Sequence, residues 1–315
     1  EKPCEAEAEK WWRKDTVAVV TGANGGIGLQ IVRLLAEKGM TVVLTARRDE
    51  KQQLSEEARA LLAKVPKNVE FHTLDVANDH SVAVFAQWLH KEFGGLDILI
   101  NNAAVQGTEF DWDLLQKHNM DFRKILYAQE EDEAWASGVK ENYESSKKCL
   151  DINYYGTVRT TKALLPLMKA SVAGPRVVNV SSYLGLLKLL RSETLEKRFS
   201  DIENMREETI DSIINEFLED IKNGVNPKEN KWPCLFPTYS VSKAAMNAYT
   251  RLVARDMQGK VSVNSVHPGF VQTKMTFGSG DISPAEGAEN VVRVALFPPA
   301  GPSGQFFLEK HFLGF

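Results

Sequence analysis

Tyr239 and Lys243 lie four residues apart in the run Thr238-Tyr239-Ser240-Val241-Ser242-Lys243. On a helix they share one face, about one turn apart. A phenol titrates near 10 when unperturbed, and an ammonium beside it favours the phenolate and draws that value down. Such a tyrosine can give a proton to a carbonyl oxygen as hydride arrives, or take one from an alcohol in reverse. In a chain with seven tyrosines this spacing is not diagnostic alone. The chemistry depends on what else the chain supplies.

A phosphate cradle is the first such supply. Val17-Ala18-Val19-Val20 reads as a buried strand and runs into Thr21-Gly22-Ala23-Asn24-Gly25-Gly26-Ile27-Gly28. Gly22, Gly26 and Gly28 permit a tight turn and close approach of the backbone to an anion, and Ile27, Ile31, Leu34 and Leu35 then mark the apolar face of a helix. The N-terminus of that helix offers free N–H groups and the positive end of a dipole, which suits a pyrophosphate. The spacing T-G-x-x-x-G-x-G makes a longer loop than G-x-G-x-x-G, and glycines so placed also make plain turns. A second strand, Thr41 to Ala46, ends in Arg47-Arg48. In a dinucleotide fold this position faces the adenosine ribose. An acid there would bond the 2′-hydroxyl, whereas an arginine pairs with a 2′-phosphate, so Arg47 predicts NADPH/NADP+ over NAD. A solvated strand end is the other reading of such an arginine.

The elements that must position these groups alternate. A helical pattern spans 52–64, a strand runs from Val69 to Leu74 into Asp75-Val76, and a helix follows from Ser81 to Phe93, capped by Asn78 or Asp79. Leu96 to Ile100 is a fourth strand, closed by Asn101-Asn102-Ala103-Ala104. Alternation with buried apolar strands predicts an α/β, doubly wound parallel sheet with right-handed crossovers. Ligands in such sheets sit beyond the carboxyl ends of the strands, where these strand-end residues converge. Residues 105–136 lose periodicity and gain charge, as a substrate lid or a solvated excursion does. A helix from near Gly138 to Ala173 carries Asn153 mid-length, a poor helix-interior residue. Arg176 to Val180 is a strand ending in Ser181-Ser182.

A helical insertion of about residues 187–232 follows, in which Ile210, Ile213, Ile214, Phe217, Leu218 and Ile221 form one apolar stripe. That stripe must cover either the crevice or a surface otherwise used for oligomerisation. After the helix bearing Tyr239, Val261 to Val266 is a strand ending in His267-Pro268-Gly269. Ser283-Pro284-Ala285-Glu286 is a capping box, and Gly304 to Phe307 a last short strand. The organisation expected is an arm, residues 1–14, and a single domain, residues 15–315.

Composition removes several function classes. A net charge of −4 and a pI near 6.0 give no basic field for nucleic acid. Cys4, Cys149 and Cys234 are far apart, which argues against a disulfide framework or a metal site. No stretch has the apolar length of a membrane span, and the first fourteen residues lack the core of a secretory signal, so a cytoplasmic location is expected.

Thr21–Gly28, Asn101–Ala104, Asn153, Ser182, Tyr239 with Lys243, and Pro268-Gly269 stand in the order seen in the short-chain dehydrogenase/reductases, and from Val17 onward the chain resembles that family. The strings Leu44-Thr45-Ala46-Arg47, Ile152-Asn153-Tyr154-Tyr155-Gly156 and Gly301-Pro302-Ser303-Gly304 are similar to the subset with a long insertion before the tyrosine. That subset holds the plant salutaridine and menthone–neomenthol reductases and animal carbonyl reductase. The resemblance implies a Rossmann-type single domain in which Tyr239 is the acid/base and Lys243 lowers its pKa while bonding the nicotinamide ribose. It makes Ser182, rather than Ser181, the donor to the substrate oxygen, and Asn153 the holder of a relay water. Arg47 takes the 2′-phosphate, with Gly22, Asn24, Gly25, Gly26, Ile27 and Gly28 around the pyrophosphate. Asp75 and Val76 flank the adenine, and Asn102, Ala103 and Ala104 line the adenosine side. Pro268, Gly269, Val271 and Thr273 reach the nicotinamide or phosphates.

Two departures from the family pattern bear on this. Gly25 stands where relatives usually have a basic residue, which leaves Arg47 less help, and Ala104 replaces a glycine. The implied function is NADPH-dependent reduction of a small hydrophobic ketone, of terpenoid or alkaloid type, by a monomer. One related type reduces a conjugated C=C bond and has glutamate at the tyrosine position; Tyr239 favours the carbonyl. A non-catalytic NADP(H) sensor is the further alternative, opposed by the intact Ser182, Tyr239 and Lys243.

Overall fold

In the computed structural model, which describes residues 10–47, 55–64, 68–127, 138–170, 174–226, 230–308 and 311–313, strands and helices alternate as the patterning predicts. The order begins β1 (Val17–Val20), α1 (Gly26–Glu37), β2 (Thr41–Ala46), α2 (Glu56–Lys64), β3 (Val69–Thr73), α3 (Asp79–Phe93), β4 (Ile98–Asn101). Next come a two-stranded ribbon of β5 (Glu109–Phe110) and β6 (Val139–Lys140), and between them α4 (Trp112–Lys117) and α5 (Phe122–Tyr127). Helices α6 (Tyr143–Leu150) and α7 (Gly156–Leu164) are joined by a π turn, Asp151–Tyr155. The chain then forms β7 (Arg176–Val180), α8 (Glu193–Ser200), α9 (Glu207–Lys222), α10 (Pro237–Asp256), β8 (Ser262–His267), α11 (Pro284–Ala295), β9 (Phe306–Leu308) and β10 (His311–Leu313).

The main sheet has the order β10-β9-β8-β7-β4-β1-β2-β3, parallel throughout except where β10 returns against β9. This is a doubly wound Rossmann-type sheet, and the order in which strands are added reverses between β1 and β4, which stay parallel. Alternate residues of β1 enter opposite cores. Val17 and Val19 pack with α3, α7 and α10, whereas Ala18 and Val20 pack with α1 and α11. Being covered on both faces is why the strands read as unbroken apolar runs.

Caps behave as their residues dictate. Asn78, not Asp79, caps α3 by accepting from Ser81 N at 2.9 Å. Ser283 and Glu286 complete both bonds of a capping box on α11. The α9 stripe (Ile210, Ile213, Ile214, Phe217) is fully buried and packs on α10 and α6, so it covers that face and not the crevice mouth. Phe217 meets Trp232 edge-on at 5.0 Å, and the indole donates to Asp220 at 2.9 Å. Burial of one such aromatic stabilises by about 1.5–3 kcal/mol.

Three features differ from the sequence reading. The helix expected through Asn153 is interrupted by the π turn, and β10 and the β5–β6 ribbon are too short to register as periodic runs. Arg48, the acidic run Glu130-Glu131-Asp132-Glu133, the remainder of the expected lid beyond residue 127, and Ala173 lie outside the described residues. Among the described residues no helix is long and apolar enough to cross a membrane.

Candidate active site

The β1–α1 loop and the β4 end are sewn together before any ligand is considered. The Thr21 hydroxyl accepts from Asn102 N at 2.9 Å and Ala103 N at 3.0 Å, and the Asn102 carboxamide donates back to Thr21 O at 2.9 Å. Two glycines make this approach possible. Gly22 sits at φ +63°, and a Cβ there would lie 2.7 Å from Ala103 Cα. A Cβ on Gly28 would lie 2.5 Å from Asn102 Nδ2 and 2.9 Å from Ala23 Cα. Helix α1 then starts at Gly26, behind Gly25 as N-cap, with no side chain capping its N–H groups, which leaves them directed at whatever lies above.

What lies above is a crevice of about 1140 Å³, larger than the cavities that hold drug-sized ligands. Gly22 and Asn24 to Gly28 form its floor, and Asn102 to Ala104, Pro268 and Thr273 its walls. Arg47, exposed, and Val76 sit at the end beside β2 and β3, and Tyr239 and Lys243 on the far wall. An uncapped helix end, a backbone surface kept free of side chains and a cation at one rim fit a dinucleotide bearing an extra phosphate.

At the other end, α10 brings in the proton chemistry. Pro237 opens the helix after Phe236, which is held at φ +44°. Thr238 is fixed by the Glu141 carboxylate and by Ser146 Oγ at 2.7 Å, while Thr108 bonds the other Glu141 oxygen at 2.8 Å. Tyr239 therefore projects from an anchored first turn. Ser182 hydrogen-bonds its phenol. One turn on, Lys243 is 1 % exposed. Its Nζ donates to Val180 O at 2.8 Å and stands 5.4 Å from the Tyr239 ring centroid.

The electrostatics correct one expectation. Burial draws the Lys243 ammonium down to about 8. It also pushes the Tyr239 phenol above its ordinary value, helped by Cys149 and opposed by the Ser182 bond. The net shift is upward and not downward, because desolvation of the phenolate outweighs the pull of an ammonium that lies over the ring and bonds the Val180 carbonyl. Tyr239 is thus held as an acid.

Tyr239 also lines a second, apolar cavity of about 380 Å³ that adjoins the crevice. Phe122 and Leu126 of α5, Leu235, Phe236, Phe270 and Met275 enclose it. Phe122 stacks on Phe236 at 5.7 Å, and Arg123 ties α5 to the 270–281 loop through Asp281 at 2.6 Å. Tyrosine, serine and lysine thus stand where a nucleotide-sized crevice meets a hydrophobic pocket.

The family profile for short chain dehydrogenases matches residues 16–125 and 229–281. A (+)-neomenthol dehydrogenase of Arabidopsis thaliana is 43% identical over 296 residues, covering 93% of this chain and 96% of that one. The chain belongs to the short-chain dehydrogenase/reductase family. A (−)-isopiperitenone reductase of Mentha piperita is 43% identical over 304 residues, 92% of this chain and 95% of its own. The solved structure of salutaridine reductase from Papaver somniferum superposes with a TM-score of 0.82 at 40% identity, covering 93% of this chain and 99% of that one.

Within this short-chain dehydrogenase/reductase, some residues expected at the cofactor stand apart from the crevice. Gly269 and Val271 line the apolar pocket and not the crevice. Asp75 lines neither; its carboxylate accepts from Ala77 N at 3.0 Å, and its neighbours Leu74 and Val76 face the crevice instead. Asn153, fully buried in the π turn, also lies behind the wall. Its Oδ1 accepts from Val105 N at 2.8 Å, and its Nδ2 donates to Val105 O at 2.8 Å and Ser242 Oγ at 3.0 Å. With the carboxamide so engaged, Asn153 is a clamp between the β4 loop and α10. Ser181, which lines both cavities, and His267, which lines the apolar pocket, carry no sequence signal beyond their place at strand ends. Among the described residues no cluster of His, Cys, Asp or Glu is arranged to hold a metal.

Proposed function

We propose that this chain is an NADPH-dependent reductase that converts the carbonyl of a hydrophobic ketone to an alcohol, with Tyr239 as proton donor. The observation that carries the reading is Tyr239 at the junction of crevice and apolar pocket, bonded by Ser182 and backed by buried Lys243. Bound in the crevice, the dinucleotide supplies the hydride. Ser182 hydrogen-bonds the carbonyl oxygen, Tyr239 protonates it, and the Lys243 charge stabilises the phenolate left behind. Asn153 keeps Val105 and α10 in register with one another.

Relatives named neomenthol dehydrogenase and salutaridine reductase support a terpenoid or alkaloid ketone as the substrate. A carbonyl reductase of mouse named for NADPH, 35% identical over 304 residues, supports the cofactor. Since α9 already covers the α6–α10 face, we read the protein as a monomer, acting in the cytoplasm. The relative named for isopiperitenone reduction gives the second reading, attack on a conjugated C=C bond.

A cyclic enone separates the two. Incubation with NADPH yields an allylic alcohol under the carbonyl reading, identified by mass and NMR; a saturated ketone would overturn it. NADPH that binds but is oxidised by no ketone in a panel of cyclic ketones would make the protein a sensor.

Arg47 is the cationic anchor at the 2′-phosphate end, and Gly25 has open space where a second cation would stand. In Arg47→Asp the ratio of NADPH to NADH efficiency falls by roughly ten- to hundredfold, the scale of one charge-assisted hydrogen bond. Steady-state kinetics with both cofactors measures it, and an unchanged ratio removes Arg47 from that role.

A further inference from the structure

Four polar side chains from three stretches of chain meet behind the wall that carries Tyr239: Thr108, Glu141, Ser146 and Thr238. Glu141 follows β6 directly and precedes Asn142, whose side chain caps α6 by accepting from Ser145 N at 2.9 Å, so its backbone is held on both sides. One carboxylate oxygen accepts from the Thr108 hydroxyl at 2.8 Å, at the foot of the β5–β6 ribbon. The other accepts from the Thr238 hydroxyl, which also meets Ser146 Oγ at 2.7 Å. Thr238 is fully buried, so its hydroxyl depends on these protein partners. The need for such a tie lies in how α10 begins. Phe236 sits at φ +44°, no side chain caps the helix, and Pro237 brings no N–H to its first turn. A non-glycine residue in the left-handed region persists only where surrounding contacts hold it. Tyr239 comes three residues after Phe236, whereas Ser182, which bonds its phenol, follows the end of β7. The phenol meets that serine only while α10 and the β7 end keep their register.

We propose that Glu141 is a positioning residue for the reduction: its carboxylate ties the first turn of α10 to the β5–β6 ribbon, and so sets where the Tyr239 hydroxyl stands relative to Ser182 and the substrate carbonyl. This rests on the ketoreductase reading above. Glu141 lines neither cavity, so it acts through Thr238 and not on the reacting atoms. The ribbon that Thr108 and Glu141 close also carries α5, and with it Phe122 and Leu126 of the apolar pocket. One carboxylate thus links the pocket wall to the proton donor. A displacement of about 1 Å at a reacting group can cost on the order of a hundredfold in rate, so a bond of this kind reads out in kcat more than in binding.

The test follows NADPH oxidation with menthone, camphor and cyclohexanone, and carries forward the ketone that wild type reduces fastest. Glu141→Ala lowers kcat about tenfold or more, while the KM for the ketone and the NADPH dissociation constant, from fluorescence titration, stay within about twofold of wild type. Glu141→Gln, which still offers an oxygen to Thr238, retains most of kcat. Thr238→Val removes the same bond from the other side and lowers kcat, and adding Glu141→Ala to it costs no more than about twofold further. The solvent deuterium isotope effect on kcat rises in Glu141→Ala, because a misplaced phenol slows proton transfer; a smaller folded fraction alone leaves that ratio unchanged. Thermal melts establish that the variants fold, and should Glu141→Ala fail to, Thr238→Val takes its place in every comparison. A kcat within about twofold of wild type overturns the proposal, as does an unchanged isotope effect or a double variant whose losses add. A loss of kcat matched by a loss of NADPH affinity also overturns it, since the tie then holds the cofactor wall and not the proton donor. A wild type that reduces none of these ketones overturns the ketoreductase reading and this proposal with it, an outcome distinct from the others, each of which requires wild-type turnover.

Discussion

Tyr239→Phe lowers kcat for ketone reduction by between about 10² and 10⁴, the range that a positioned general acid contributes, while NADPH still binds. Among the described residues that line both the crevice and the apolar pocket, Tyr239 carries the most acidic proton, and its first helical turn is fixed by the Glu141–Thr238 contact whether or not the hydroxyl is present. Phenylalanine keeps the ring over Lys243 and removes only the oxygen that Ser182 bonds. Single-turnover kinetics, with NADPH fluorescence titrated separately, checks both halves. A variant retaining more than about a tenth of wild-type kcat lies outside the range for such an acid and would sink the assignment.

The pH profile carries the second large effect. Lys243, drawn down to about 8 by burial, is charged below that pH and neutral above it. Reduction leaves a phenolate on Tyr239, and burial already makes that anion costly. Loss of the nearby positive charge raises the barrier further. The sign is therefore a plateau of kcat below about pH 8 and a decline above it. Lys243→Met has no charge at any pH, so its kcat is lower throughout, by roughly ten- to hundredfold, about 1.4–2.7 kcal/mol of lost charge stabilisation. It also lacks the limb near 8. A limb that persists unchanged in this variant assigns the titration to another group. Arg47, exposed at the far rim, is not expected to alter the profile.

The strands and the glycine loop were legible in the chain itself because their signals are local. Four apolar residues, three glycines at fixed spacing and an apolar helical stripe lie within twenty positions, and the backbone conformations they favour need no distant partner. The spacing of Tyr239 and Lys243 was legible in the same way, as was the capping box at Ser283. The landing place of α9 was not. Its stripe announced that something would be covered, but α6 and α10 were selected by packing across the fold.

Direction and burial mark the boundary between the two kinds of knowledge. The amino-acid order settled which residues reach the carboxyl end of the sheet, since strand length and alternation are properties of short runs. Tertiary structure alone turned Asn153 inward onto Val105, set Ser181 against His267 in the pocket wall, and raised the Tyr239 phenol instead of lowering it. Each of those outcomes depends on how far water is excluded and on partners tens of residues away, and desolvation in particular belongs to the assembled core and to no single stretch of chain.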